Sequence, residues 1–196
     1  MKIASKIVLC LLFCASRASA QLPAPAGVGP VMDASLGYSY MRSSTPLSVG
    51  IGLNGVDASL TEGITPRFSV RADLGYMYAP NVGGTGYHCD VLSYLVGPVF
   101  YPRRDRRLVT YVHGLLGGAR VRGPVPLGGG FGKGYVYDFS WAFGGGYEYW
   151  FSNSTALRIG VDALRTSFFN ASGTIQGRYD LRPILGVVHY FGGRRR

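Results

Sequence analysis

The chain has 196 residues, which is enough for one domain, and only 15% of them are charged. That share is well below the ~25% usual in soluble domains, while Gly (30 residues) and Tyr (14 residues) are abundant. After residue 20, no stretch approaches the ~20 consecutive apolar residues that a membrane helix needs. The composition therefore argues against a helical membrane protein and is atypical of a cytosolic enzyme.

Residues 1 to 20 have the features of a secretory signal peptide. Lys2 and Lys6 precede an apolar run at positions 7 to 15, and small residues lead up to a predicted cleavage after Ala20. Residues 21 to 31 are interpreted as a leader. Cleavage removes three of the 20 basic residues and no acidic one, so the formal charge falls from +10 to +7. Of the three cysteines only Cys89 remains, and it cannot form an internal disulfide.

The first three predicted strands cover residues 32 to 41, 48 to 60 and 67 to 79. The third, RFSVRADLGYMYA, alternates apolar side chains with Arg, Ser and Asp, so that one face of a strand is apolar and the other polar. In the second, the apolar alternation shifts at Asn54-Gly55, which predicts a β-bulge at Gly55.

Five more strands follow, at residues 88 to 101, 108 to 120, 135 to 149, 155 to 168 and 179 to 191. The phase of the fifth is not set by the sequence. Segments of ~10 residues match a tilted strand that crosses a bilayer. Connections after the odd-numbered strands are expected to be longer and external, including a loop at 121 to 134. Residues 192 to 196 form a basic tail.

These patterns predict an all-β fold, an eight-stranded antiparallel up-and-down transmembrane β-barrel. A closed barrel pairs every backbone polar group, as hydrocarbon requires. The predicted lipid-facing residues are Phe68, Val70, Leu74, Tyr76, Phe139, Trp141, Phe143, Leu157, Ile159 and Val161. The predicted charge network in the lumen consists of Arg71, Asp73, Glu148, Arg158, Asp162 and Arg182.

The segments YLVGPVF at 94 to 100, WAFGGGYEYW at 141 to 150 and LRPILGVVHYFG at 181 to 192 resemble strands of small outer-membrane barrels of the OmpA-like, opacity-protein class. This resemblance implies that Phe191 is the aromatic end of the closing strand, which the barrel-assembly machinery reads. It also implies a bacterial outer-membrane location, with outer-membrane lipid and lipopolysaccharide as neighbours. The sequence departs from the pattern at His189 and in the GGRRR that follows Phe191.

The expected role is structural or adhesion-like, without catalysis, and an unknown extracellular partner would contact the outer loops. Two alternatives stay open: a barrel enzyme that modifies lipid A or phospholipid, and a soluble secreted barrel that holds a ligand. The Gly-rich segment 123 to 134 lacks the residues of a phosphate-binding loop. The three histidines lack metal-ligand spacing, and basic residues form no stripe with interleaved aromatics. No cofactor, metal or nucleic-acid partner is therefore expected.

Overall fold

The computed structural model describes residues 32–44, 50–105, 107–127, 129–169 and 175–191. The predicted signal peptide, leader and basic tail lie outside these ranges. The described residues form eight strands: β1 Met32–Ser44, β2 Gly50–Gly63, β3 Phe68–Ala79, β4 Cys89–Arg104, β5 Leu108–Leu127, β6 Gly130–Trp150, β7 Thr155–Phe169 and β8 Ile175–Phe191. One 3-10 turn, Val82–Gly84, interrupts the β3–β4 connection.

The eight strands form one closed barrel in chain order. Each strand pairs antiparallel with the next, and β1 pairs with β8, from Met32 opposite Phe191 to Ser39 opposite Ile184. The predicted eight-stranded antiparallel up-and-down barrel is thus confirmed. No helix within the described ranges is long and apolar enough to cross a membrane. Below, the end where β1 begins and β8 finishes is the termini end, and the opposite end is the loop end.

Side-chain alternation explains why these segments are strands. In β3 every residue at an even position is exposed and every residue at an odd position is buried, from Phe68 to Ala79. β8 repeats the pattern from Tyr179 to Phe191. A strand places successive side chains on opposite faces, so this period of two fixes one inward and one outward face around the barrel.

Two sequence predictions about β2, β5 and β6 are wrong. The segment 121 to 134 is not a loop, because β5 and β6 stay paired until Leu127 opposite Gly130. β2 has no bulge, since its pairing with β1 and β3 runs through Gly55 without a shift. Glycine is needed at position 55 because β3 approaches it closely. An added Cβ would collide with the Tyr76 carbonyl oxygen. Ile51 and Leu53 simply point inward.

The interior has three layers. A larger apolar cluster lies towards the loop end, with Met41, Leu53, Met77, Leu115 and Leu164 at its centre. A smaller cluster lies towards the termini end and contains Val99, Tyr101, Val109, Tyr111, Trp150, Ala156, Val188 and Tyr190. Buried charged residues separate the two clusters. The outward surface between the ends is apolar and exposed, which is the reverse of a soluble barrel.

Candidate functional site

The middle layer of the interior holds the six charged residues that the sequence assigned to the lumen. Arg71, Asp73, Glu148, Arg158, Asp162 and Arg182 all face inward and are buried. The layer also contains Asp33, Asp57 and His113, which are equally buried. The sequence did not assign Asp57 to the lumen because the predicted bulge at Gly55 lies beside it. It did not assign His113 to the lumen because it left the phase of the fifth strand open. Burial of charge is tolerated only where partners compensate it.

Arg182 on β8 gathers three carboxylates from three other strands. Its guanidinium nitrogens lie 2.7 Å from Asp162 Oδ2, 3.1 Å from Asp73 Oδ1 and 3.1 Å from Asp57 Oδ2. Gly75 provides the space, because a Cβ there would lie 2.7 Å from an Arg182 Nη atom and 2.7 Å from Ser93 Oγ. This cluster therefore ties β2, β3, β7 and β8 together through the lumen.

Arg158 on β7 forms the second cluster. Its Nη2 donates to Glu148 Oε1 at 2.7 Å and its Nε donates to the same oxygen at 3.0 Å. Asp33 Oδ1 lies 3.4 Å from Nη2, and the hydroxyls of Ser35 and Ser59 accept from Nη1 at 2.9 and 3.1 Å. The Tyr190 hydroxyl donates to Glu148 Oε2. Polar groups from β1, β2 and β6 thus contact one guanidinium, and Tyr190 on β8 holds its partner Glu148.

His113 links Arg71 to the Arg182 cluster. Arg71 Nη1 lies 3.0 Å from His113 Nδ1, and His113 Nε2 lies 2.9 Å from Asp162 Oδ1. A guanidinium can only donate, so Nδ1 accepts from Arg71, and Nε2 faces the Asp162 carboxylate. The guanidiniums of Arg71 and Arg158 both lie over the Tyr111 ring, at 4.9 and 5.4 Å from its centroid.

This layer crosses the barrel interior and cross-links its wall. Eight strands leave room for side chains and for no wide channel, and here charged and aromatic side chains fill the middle. Asp162 and His113 form a pair of the kind found in hydrolytic sites, but the second polar partner of His113 is Arg71 rather than a hydroxyl nucleophile. Among the described residues no group of His, Cys, Asp or Glu is arranged to hold a metal ion.

The ten residues predicted to face lipid lie on the outward face of β3, β6 and β7. Nine are exposed, and Trp141 is half-buried because it packs edge-on against Tyr179, with ring centroids 5.5 Å apart. Phe191 at the end of β8 is also outward and exposed, and His189 packs edge-on against it at 5.2 Å. The outward face also contains residues that the sequence did not assign: Asp90 on β4 and Arg120 and Arg122 on β5.

No family model matches the chain, and no curated protein matches it either. Among solved structures, Neisserial surface protein A covers 82% of the chain and 97% of its own length, with a TM-score of 0.63 and 13% identity. The chain has the fold of the small outer-membrane barrels. The attachment invasion locus protein Ail of Yersinia pestis shows this fold as well, with a TM-score of 0.60 and 15% identity over 84% of the chain and 100% of Ail.

A third outer-membrane barrel, OprG from Pseudomonas aeruginosa, aligns with 83% of the chain and 96% of its own length, at a TM-score of 0.58 and 10% identity. The similarity at these identities is one of fold. It confirms the eight-stranded transmembrane barrel and the resemblance to small outer-membrane barrels that the strand patterns predicted. What the protein does has to be argued from its own residues.

Proposed function

We propose that this protein is a bacterial outer-membrane barrel with a structural or surface-interaction role and no catalytic activity. One observation carries the proposal: aliphatic and aromatic residues are exposed around the outside, while the arginines and carboxylates of β3, β6, β7 and β8 are buried and paired inside. Only a hydrocarbon environment stabilises that arrangement. A soluble ligand-holding barrel would need a polar exterior.

The barrel is oriented with its loop end outside the cell and its termini end in the periplasm. Export relies on the predicted signal peptide, with cleavage after Ala20, and Phe191 serves as the signal for the barrel-assembly machinery. Tyrosines are outward at the loop end, on β3 and β6, and Phe68, Phe100 and Phe191 are outward at the termini end. A belt of aromatic residues at each end is typical of a barrel anchored at both lipid–water interfaces.

The β5–β6 hairpin is the candidate surface for an extracellular partner. Pairing of β4 with β5 ends at Asp90 opposite Arg122, and pairing of β6 with β7 ends at Trp141 opposite Arg165. β5 and β6 continue as a pair to Leu127 and Gly130, so the hairpin projects beyond its neighbours. A hairpin that is paired along its length presents a partner with a defined surface at little cost in ordering entropy.

Membrane integration is tested by expressing the full chain in a Gram-negative host. We expect the processed protein in the outer-membrane fraction, and a faster gel band before boiling than after it, because a folded barrel resists detergent. An epitope inserted after Gly129 should bind antibody on intact cells, whereas one inserted after Ile64, at the opposite end, should bind only in permeabilised cells. A mature protein that is soluble in the periplasm would refute the proposal.

The catalytic alternative has its own test. An enzyme acting on lipid A or phospholipid would change the mass spectrum of envelope lipids when the gene is expressed. We expect identical spectra with and without expression, since both ring nitrogens of the buried His113 face Arg71 and Asp162. A new acylated or deacylated lipid species that depends on the gene would replace the structural role with an enzymatic one.

A further inference from the structure

We propose that Arg120 and Arg122 form a binding site for the phosphate of a glycolipid headgroup on the outward face of the barrel at the loop end. The inference rests on the proposed outer-membrane location, where lipopolysaccharide provides such phosphates in the outer leaflet. The site is one small area of the barrel wall and is distinct from a general electrostatic attraction to lipid.

Strand register places the two arginines in the same rows as outward tyrosines of β3 and β6. One row across the outward face runs from Tyr78 on β3 through Asp90 and Arg122 to Tyr135 on β6. The next row towards the membrane centre contains Tyr76, Leu92, Arg120 and Tyr137. Further rows contain exposed Val96 and Leu116. Because tyrosines prefer the lipid–water interface, the arginines lie at headgroup depth.

The burial of Asp90 is the second observation that supports this site. This carboxylate is completely buried although its strand position faces outward, because three cationic or potentially cationic side chains cover it. Arg122 Nε donates to Oδ2, Arg120 Nη2 lies 3.4 Å from Oδ1, and His88 Nε2 lies 3.7 Å from Oδ2. Two guanidiniums against one carboxylate leave one net positive charge, before His88 is counted.

The carboxylate orients the arginines without using all of their donors. Arg120 and Arg122 side chains remain 32% and 27% exposed, so a ligand can reach them. Arg120 contacts the carboxylate of Asp90 through Nη2. A planar guanidinium matches a phosphate with two parallel hydrogen bonds. Exposed Lys133 is the next outward residue of β6 beyond Tyr135 and adds a further positive charge.

The test uses the full refolded protein in detergent micelles with bisphosphorylated lipid A as the probe, and native mass spectrometry counts retained lipid. At about fivefold per arginine at an anionic surface, the double substitution Arg120→Gln and Arg122→Gln should weaken binding by about 25-fold. Arg107→Gln, an exposed arginine at the termini end, is the matched control and should bind as the unsubstituted protein does. Dephosphorylated lipid A should bind weakly to all three proteins.

Two further variants separate a built site from simple charge. Arg122→Lys keeps the positive charge but removes the planar guanidinium that can donate two parallel hydrogen bonds. It should therefore still weaken binding. Asp90→Asn adds net positive charge, so plain electrostatic attraction predicts tighter binding, whereas loss of the orienting carboxylate predicts weaker binding, which we expect. Tighter or unchanged binding by Asp90→Asn would exclude its orienting role.

Folding of each variant is checked by gel mobility before and after boiling. A folded double variant that retains lipid A as well as the unsubstituted protein would overturn the site while leaving the outer-membrane barrel intact. An unsubstituted protein that does not fold in micelles would instead refute the proposed function. If the double variant does not fold, Arg122→Lys decides the question, since it preserves the charge balance around Asp90.

Discussion

Arg182 on β8 and Asp162 on β7 lie 2.7 Å apart in the middle of the barrel, and both are buried. They stand directly opposite each other in the β7–β8 ladder. The pair is thus aligned by backbone register, and Asp57 and Asp73 reach the same guanidinium from β2 and β3. Backbone pairing around the wall and ion pairs across the lumen therefore stabilise the same closed structure.

The first prediction concerns the loss of Arg182. Arg182→Ala leaves three buried carboxylates without their shared cation, so the free energy of unfolding should fall by about 3–5 kcal/mol. Urea titration of the protein folded in phospholipid vesicles measures this. Arg103→Ala is the control, because Arg103 pairs with Asp105 at an exposed position and should change stability by less than about 1 kcal/mol. Equal effects of the two substitutions would contradict a stabilising lumen network.

The second prediction concerns the space beside Arg182. Gly75→Ala introduces a Cβ 2.7 Å from an Arg182 guanidinium nitrogen and from Ser93 Oγ, so the guanidinium must shift from its place among Asp57, Asp73 and Asp162. We expect a loss of about 1–3 kcal/mol from overpacking, measured by the same urea titration. Gly130→Ala, where no atom lies within 4 Å of the new Cβ, should be close to neutral. A neutral Gly75→Ala would show that the guanidinium has room to shift.

The third prediction separates lipid from water as the solvent of the outer surface. Leu116 is 58% exposed in the middle of β5, and Leu127 is 63% exposed at the tip of the β5–β6 hairpin. Leu116→Arg should cost about 2–4 kcal/mol in vesicles, since the charge enters the bilayer centre. Leu127→Arg should be nearly neutral, because that side chain stays in water. Similar costs at the two positions would contradict a membrane-spanning wall.

Much of the fold follows from the sequence because one face of each strand meets lipid and the other meets the lumen. The alternation is unbroken in β3 and, from Tyr179 onward, in β8, so these strands and their inward arginines could be predicted. The same physics fixes the antiparallel order, since short connections join neighbouring strands. Closure between β1 and β8 then follows from the need to pair both edges.

The false bulge in β2 arose because the interior is not polar throughout. Ile51 and Leu53 face the apolar layer near the loop end, so a rule that sends apolar residues outward produces a false shift at Gly55. Glycine and proline also concealed the β5–β6 hairpin, where pairs such as Gly123 opposite Gly134 carry no side-chain pattern. The arginine site went unrecognised because the phase of the fifth strand was open.

The last prediction concerns Phe191 and distinguishes assembly from stability. Phe191 and Phe68 are both 50% exposed and outward at the termini end. If Phe191 is read by the assembly machinery, Phe191→Ser should reduce folded protein in the outer membrane of living cells far more than it lowers the urea midpoint of the refolded protein, which changes only through the lost contact with His189 at 5.2 Å. Phe68→Ser should change the two measurements together, because its ring contacts Phe100 at 4.9 Å. A parallel decline in cells and in vitro for Phe191→Ser would assign this residue a packing role instead, since a recognition signal acts only while the machinery is present.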